Sequence, residues 1–160
     1  MQKEWGEMKK VMWLIICCLL IMCSTCFAET LVYQGGGKQY FIDESSVYYA
    51  GDWQKGKYFN REIHVICRVY NERLSYSRQG VAKIRSEEYK DADGTNAVQG
   101  IVVIPEYDVV YNDGSSKHIH DSYGAYFSSS PSDNEQLGFF NIYIGCLEVH
   151  IARLKKKLGW

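Results

Sequence analysis

Two histidines, His118 and His120, have the spacing that a zinc-binding strand needs. Residues i and i+2 of a β-strand lie on one face, so both imidazoles could reach the same ion, and Asp121 follows directly. If a hairpin ends at residue 120, Ile119 is the apolar residue expected to face the core. Both imidazoles then point to solvent. The spacing defines no third ligand. We therefore expect no metal and no cofactor, although His118 and His120 remain candidate ligands.

Other motifs that carry chemistry are absent from the sequence. There is no Gly-x-Ser-x-Gly nucleophile elbow, no His-Glu-x-x-His zinc motif and no phosphate-binding loop. The formal net charge is -1, so no basic excess argues for nucleic acid as a partner. The sequence therefore names no catalytic residue, and we expect a protein that is not an enzyme.

Residues 8–28 have the composition of a secretory signal peptide. Lys9 and Lys10 give a basic start, residues 11–23 form an apolar core, and small residues lead to Ala28. This pattern predicts cleavage after Ala28 and export to the periplasm, the cell surface or the medium. The apolar core is shorter than the roughly 20 residues of a membrane-spanning helix, so we expect no stable span after cleavage. A signal retained as an anchor is the alternative.

Cleavage would leave residues 29–160, which we expect to form a single domain. Cys67 and Cys146 are the two cysteines that remain in it. An even pair in an exported chain is most simply a disulfide, and two free buried thiols are the alternative.

Alternation of apolar and polar residues predicts most of the strands. Residues 61–70 are the clearest case, with Ile63, Val65, Cys67 and Val69 on one face. Glycine-rich and Asn-Asp-Gly turns predict hairpins over 31–42 and 106–120.

The segments between these hairpins are less regular. Residues 51–56, which include Trp53, are expected to form a loop, as are residues 90–99. Residues 74–89 are expected to be a strand with a bulge at Gly80, with a helix over 79–89 as the alternative.

The C-terminal segment 146–158 has helical periodicity. Four apolar residues fall on one stripe that we expect to cover the sheet: Leu147, Ile151, Leu154 and Leu158. Three lysines before Gly159 suit the end of a helix. Residues 138–145 are rich in aromatic and β-branched residues between two glycines, which favours a last strand. One long helix, starting from a capping box at Ser132 and Glu135, is the alternative.

Many short strands followed by one helix indicate an α+β fold. We expect an antiparallel sheet of about six to eight strands with the C-terminal helix packed on one face, and a disulfide that tethers the helix to the sheet.

The run Tyr40-Phe-Ile-Asp-Glu-Ser-Ser-Val47, together with the strand around Cys67 and the cysteine-bearing C-terminal segment, resembles the bacterial surface-adhesin protein E family. The resemblance implies an antiparallel sheet with a C-terminal helix held by a disulfide, here Cys67 with Cys146. It also implies a protein partner, such as an extracellular-matrix or envelope protein.

These observations together predict an exported, non-enzymatic binding module, adhesin-like at the cell surface. A periplasmic or envelope structural protein or inhibitor is the alternative. The third hypothesis is a small metallohydrolase that uses His118, His120 and His64.

Overall fold

The computed structural model describes residues 29–160, and the predicted signal peptide and its cleavage site after Ala28 involve residues outside this range. The described part contains nine strands, a 3-10 turn at Glu44–Ser46 and one helix. The strands are β1 (Glu29–Gly35), β2 (Lys38–Asp43), β3 (Tyr48–Lys55), β4 (Tyr58–Asn71), β5 (Tyr76–Lys90), β6 (Asn96–Ile104), β7 (Tyr107–Tyr111), β8 (Ser116–Ile119) and β9 (Tyr123–Ser128). The helix is α1 (Asn134–Leu158).

All nine strands belong to one antiparallel sheet, built around the long hairpin of β4 and β5. The main order is β1-β2-β4-β5-β6-β9, and β3 pairs with the first half of β4. On the other side, β7 pairs with the first residues of β5 and carries β8 at its outer edge. The expected α+β fold is confirmed, with nine strands rather than six to eight.

The two predicted hairpins are present. Gly36 and Gly37 form the turn between β1 and β2 with φ of 61° and 75°, a conformation that glycine adopts without strain. After β2, the Asp43 side chain accepts a hydrogen bond from the Ser45 backbone N–H and begins the 3-10 turn. The second hairpin joins β7 to β8 through residues 112–115.

The core lies between the sheet and α1. From Ile63 to Val69, every second residue of β4 is buried, namely Ile63, Val65, Cys67 and Val69, as the alternation predicted. The neighbouring strand β5, which pairs with β4, contributes Ala82 and Ile84 to the same core.

Three irregular segments differ from the sequence-based expectation. Residues 51–55 are not a loop but the second half of β3, which pairs with β4 across a register shift between Tyr49 and Gly51. The β4–β5 register runs through Gly80 without a bulge. A Cβ at Gly80 would lie 2.6 Å from Ile104 Cγ2 and 2.7 Å from the Glu106 carbonyl oxygen, so this glycine permits close approach of neighbouring backbone. Residues 96–99, expected in a loop, begin β6.

The predicted strand over 138–145 is wrong, and the single long helix is correct. The helix begins after Asp133, whose side chain accepts a hydrogen bond from the Gln136 N–H at 2.8 Å. Gly138 and Gly145, which argued against a helix, are buried where α1 meets the sheet. A Cβ at Gly138 would overlap the Tyr40 ring, and one at Gly145 would lie 2.9 Å from Val32 Cγ1. The glycines therefore let the helix approach the sheet closely.

The prediction of which residues of α1 cover the sheet is also largely wrong. The buried side of α1 is instead formed by Phe139, Ile142, Tyr143 and Cys146, spaced three, one and three residues apart. Of the predicted stripe, Leu147 packs against the core, whereas Ile151, Leu154 and Leu158 are exposed. At 25 residues, α1 is about 37 Å long, and all residues from 151 onward are exposed.

The end of α1 follows the sequence-based prediction. Lys155, Lys156 and Lys157 occupy the last turn, and Gly159 closes it with φ of 75°. Before that end, the Arg153 guanidinium donates to the Val47 carbonyl oxygen at 2.6 Å, which fixes the helix to the chain after the 3-10 turn. By length and composition alone α1 could cross a membrane, a property that core helices share; here its inner side packs on the sheet.

Candidate functional site

A groove of about 560 Å³ is the first candidate site. Its lining comes from β3, β4, β5, β6, β9 and the first turn of α1. The lining residues are Trp53, Asn60, Arg85, Ser86, Glu87, Gln99, Gly100, Ile101, Tyr126, Phe127, Ser128 and Gln136.

Two exposed aromatic side chains belong to this groove. Trp53 is 46% exposed and Tyr126 is 74% exposed. The strand pairing positions them, because Trp53 lies opposite Asn60 across β3 and β4, and Tyr126 lies opposite Ile101 across β6 and β9. Large aromatic residues left accessible in a concave site are typical of binding surfaces.

The charged groups of the groove already have partners. The Arg85 guanidinium donates to Glu62 at 2.8 Å, and the Gln99 amide donates to Glu87 at 3.3 Å. A Cβ at Gly100 would overlap the Phe127 ring and the Arg85 carbonyl oxygen, so glycine is required where β5, β6 and β9 come together. The groove therefore offers mainly apolar and amide surface, with Arg85 and Glu87 as its two charged side chains.

A cluster of histidine and carboxylate side chains on the β7–β8 hairpin is the second candidate site. As predicted, His118 and His120 are exposed. His118 lies opposite Asp108 in the strand register, and its Nδ1 is 2.7 Å from Asp108 Oδ1. Glu106, just before β7, brings Oε2 to 3.5 Å from His118 Nε2 and 3.6 Å from His120 Nδ1.

The carboxylates set the electrostatics of this cluster. The hydrogen bond with Asp108 is the largest cause that raises the pKa of His118 above its ordinary value; desolvation opposes it, and the nearby Glu106 carboxylate adds a smaller upward effect. The two imidazole rings lie 4.5 Å apart in an edge-to-face arrangement. Two imidazoles and a carboxylate thus converge within 4.8 Å through one donor atom each.

His64, the third histidine of the metallohydrolase hypothesis, is not part of this cluster. It lies in β4, where its Nε2 is 2.8 Å from Glu62 and its ring lies 6.0 Å from the Tyr48 ring. The structure therefore does not bring the three proposed histidines together.

Cys67 and Cys146 are both buried, as free thiols, in the core cluster between β4 and α1. Burial raises the pKa of the Cys67 thiol to about 12. Burial, and secondarily the neighbouring Cys67, raise the pKa of the Cys146 thiol. Thiols of this kind are poor nucleophiles, because only the thiolate attacks. The predicted disulfide between Cys67 and Cys146 stays a prediction, and it concerns the oxidised protein.

A polar network joins α1 to the sheet beside the core. Arg61 on β4 donates to the Tyr143 hydroxyl at 2.9 Å and forms an ion pair with Glu88 on β5. The same guanidinium donates to the Tyr49 hydroxyl at 2.9 Å, and the Tyr49 ring stacks on His150 at 4.0 Å. This network holds the middle of the helix over β3, β4 and β5.

The first turn of α1 is held by a second polar contact. Glu135 Oε1 accepts from Lys38 at 2.8 Å and from the Tyr123 hydroxyl at 2.7 Å. Burial alone would raise the pKa of Glu135, but these two hydrogen bonds outweigh it and lower that pKa below its ordinary value. The start of α1 is thus tied to β2 and to β9.

Sequence reasoning did not identify Glu106 and Asp108 as neighbours of the histidines. A signal was present, since an i, i+2 pair of carboxylates precedes the hairpin turn and an i, i+2 pair of histidines follows it. Because Tyr107 lies opposite Ile119, the two carboxylates and the two histidines lie on the same face of the hairpin. The groove had no comparable signal, because its residues come from five strands and a helix.

Comparison of the chain with protein-family models, with curated proteins and with solved structures gave no match.

Proposed function

We propose that this protein is an exported, non-enzymatic binding module that takes a segment of a partner polypeptide in the groove between Trp53 and Tyr126. The observation that carries the proposal is the pairing of these two exposed aromatic residues across a concave surface of about 560 Å³. A groove of this size holds a few side chains of a partner.

The chemistry of the lining favours a polypeptide over a charged small molecule. Besides Tyr126, the only ionisable groups among its lining residues are Arg85 and Glu87. Arg85 forms an ion pair with Glu62, and Glu87 accepts a hydrogen bond from the neutral Gln99 amide, so the lining is mainly aromatic, apolar and amide surface with one charged side chain of each sign. Aromatic surface flanked by amides is the composition of protein-binding surfaces, where tyrosine and tryptophan are enriched.

The location and the kind of partner rest on the sequence. The predicted signal peptide supports export, and the resemblance to the surface-adhesin protein E family supports a partner at or beyond the cell surface. A periplasmic or envelope structural protein or inhibitor is the second candidate, since the same groove could serve an envelope partner.

The groove can be tested by photo-crosslinking in the cells that export the protein. A photoreactive amino acid replaces Ile101 or Tyr126 in the groove, and Tyr48, which is 62% exposed outside it, is the matched control. We expect discrete protein adducts from positions 101 and 126 and none of the same mass from position 48. Trp53→Ala should reduce the adduct from position 101.

Surface protease treatment of intact cells then separates the two candidates. Adducts that are lost on treatment indicate a cell-surface module, and protected adducts indicate a periplasmic partner. Equal labelling from position 48 and the groove positions, or no adduct from either groove position, would overturn the proposal.

A further inference from the structure

We propose that Glu106, His118 and His120 form a binding site for a divalent transition-metal ion, with zinc as the reference ion and Asp108 as the residue that positions His118. The site lies at the open end of the β7–β8 hairpin, on residues that do not line the proposed binding groove. It does not depend on the function proposed above.

The backbone of the hairpin creates the site. Tyr107 pairs with Ile119 and Asp108 pairs with His118, so side chains two residues apart share a face. Glu106 and Asp108 therefore lie on the same face as His118 and His120. Strand pairing fixes Asp108 opposite His118, and Glu106 and His120 directly adjoin the paired residues Tyr107 and Ile119, so the hairpin is a well-defined support for the cluster.

The distances between donor atoms fit a metal ion better than they fit hydrogen bonds. Glu106 Oε2 lies 3.5 Å from His118 Nε2 and 3.6 Å from His120 Nδ1. Nitrogen–oxygen hydrogen bonds are usually about 2.7–3.2 Å long, so the carboxylate lies beyond that range from both rings. Two ligands about 2.0–2.1 Å from a tetrahedral zinc ion are roughly 3.4 Å apart, which matches the observed spacing.

The partner of His118 adds an independent observation. Asp108 Oδ1 is 2.7 Å from His118 Nδ1, so an Nδ1–H donated to this carboxylate leaves the Nε2 lone pair directed to the cluster. Ligating histidines commonly donate their other ring nitrogen to a carboxylate, which orients the ring and raises its basicity. Asp108 is therefore a positioning residue for a ligand.

The donor set defines the class of ion and the open position. Imidazole nitrogens suit zinc, copper and nickel, whereas calcium and magnesium prefer sites made only of oxygen. Three protein ligands leave one tetrahedral position, and the exposure of all three side chains leaves that position open to water.

The test is zinc titration of the purified protein by calorimetry, with elemental analysis after gel filtration. We expect one zinc ion per chain, and Glu106→Gln, His118→Ala and His120→Ala should each weaken binding by at least about tenfold. Asp108→Asn should weaken it by about 10- to 100-fold, as loss of a supporting carboxylate usually does. His64→Ala is the matched control, because His64 also contacts a carboxylate but lies outside the cluster.

The ligand residues are exposed, so circular dichroism should give native spectra for all these variants. Magnesium at the same concentration should not compete with zinc. Absence of saturable zinc binding, or an equal loss of binding in His64→Ala and His118→Ala, would overturn the assignment and leave an ion-pair cluster on the hairpin.

Discussion

Gly138 lies where α1 approaches the sheet most closely, against the fully buried ring of Tyr40. In an exposed helix, replacing glycine by alanine stabilises the helix by about 1 kcal/mol. At this position, however, an added Cβ would overlap the Tyr40 ring, which packs at 5.5 Å from Phe139. Glycine at position 138 therefore allows close packing of the helix on the sheet, although its helix propensity is low.

We accordingly expect Gly138→Ala to lower the free energy of unfolding by about 1–3 kcal/mol, the usual cost of overpacking a core. Urea denaturation followed by circular dichroism measures it. Gly145→Ala is the comparison, and its effect should be smaller, because the added Cβ would meet the tips of Val32 and Ile42 at 2.9 Å and 3.1 Å. A Gly138→Ala variant as stable as the wild type would show that the helix can shift away from the sheet.

His150 is the residue through which pH should act on helix packing. Burial is the largest cause that lowers its pKa below the ordinary value, followed by the positive charges of Arg61 and Arg153, while Asp52 opposes them. A histidine with a lowered pKa stabilises the fold only while it is neutral. Its contribution is present above the unfolded-state pKa of about 6.5 and is lost as pH falls through the folded-state pKa.

Wild-type protein should therefore lose more stability between about pH 7 and pH 5 than His150→Phe, which keeps a ring on Tyr49 but cannot be protonated. Thermal unfolding across this range measures the difference. His118, whose pKa is raised, acts with the opposite sign in both proteins and cancels from the comparison. A His150→Phe variant that loses as much stability as the wild type over this range would contradict the assignment to His150.

At the scale of elements, the arrangement of β4 and α1 decides what the two cysteines can do. Cys67 alternates with buried apolar residues in β4, and Cys146 lies on the buried side of α1. Both thiols belong to one core cluster, so apolar packing, together with the polar contacts of Arg61, Glu135 and Arg153, already holds the helix on the sheet in the reduced protein. A disulfide formed after export would add a covalent tether between these two elements.

We predict that exported protein contains the Cys67–Cys146 disulfide and that replacing both residues by alanine lowers its stability by about 2–5 kcal/mol. The helix should loosen before the sheet, because the tether would act at their junction. Non-reducing peptide mapping detects the bond, and hydrogen exchange of α1 against β4 detects the loosening. Free thiols in exported protein, or an unchanged stability of the double variant, would leave packing and the polar contacts as the links between helix and sheet.

At the scale of the whole molecule, the sheet and helix form a platform whose two candidate sites use different parts of its surface. The groove lies over β3, β4, β5, β6 and β9, whereas the histidine cluster lies on the β7–β8 extension. Both surfaces would act outside the cytoplasm if the predicted signal peptide directs export.

We predict that the exported form begins at Glu29. The basis is the small residue Ala28 after an apolar run. Intact mass and N-terminal peptide mass spectrometry of protein from the exported fraction measure the cleavage point. A chain that begins at Met1 or Met8, or with an acylated Cys26, would show that the N-terminus is retained or modified instead.

Local periodicity in the sequence determined much of this fold. The alternation through β4 identified its four buried core residues, the glycine-rich turn identified the first hairpin, and the lysines with Gly159 identified the end of α1. These features could be predicted because each depends on neighbours in sequence, namely on which side chains share a face and which backbone angles a turn requires.

Tertiary structure alone decided the start of α1, its buried side and both candidate sites. Gly138 and Gly145 argued against a helix in sequence, yet Tyr40, Val32 and Ile42 lie where only a glycine fits between helix and sheet. The stripe of Leu147, Ile151, Leu154 and Leu158 was predicted to face the core because periodicity shows which residues share one side of a helix. Periodicity does not show how far along the helix the sheet extends. Trp53 and Tyr126 line one groove because strands from distant parts of the chain lie side by side in the sheet, and Glu106 approaches two histidines because of the register of the β7–β8 hairpin.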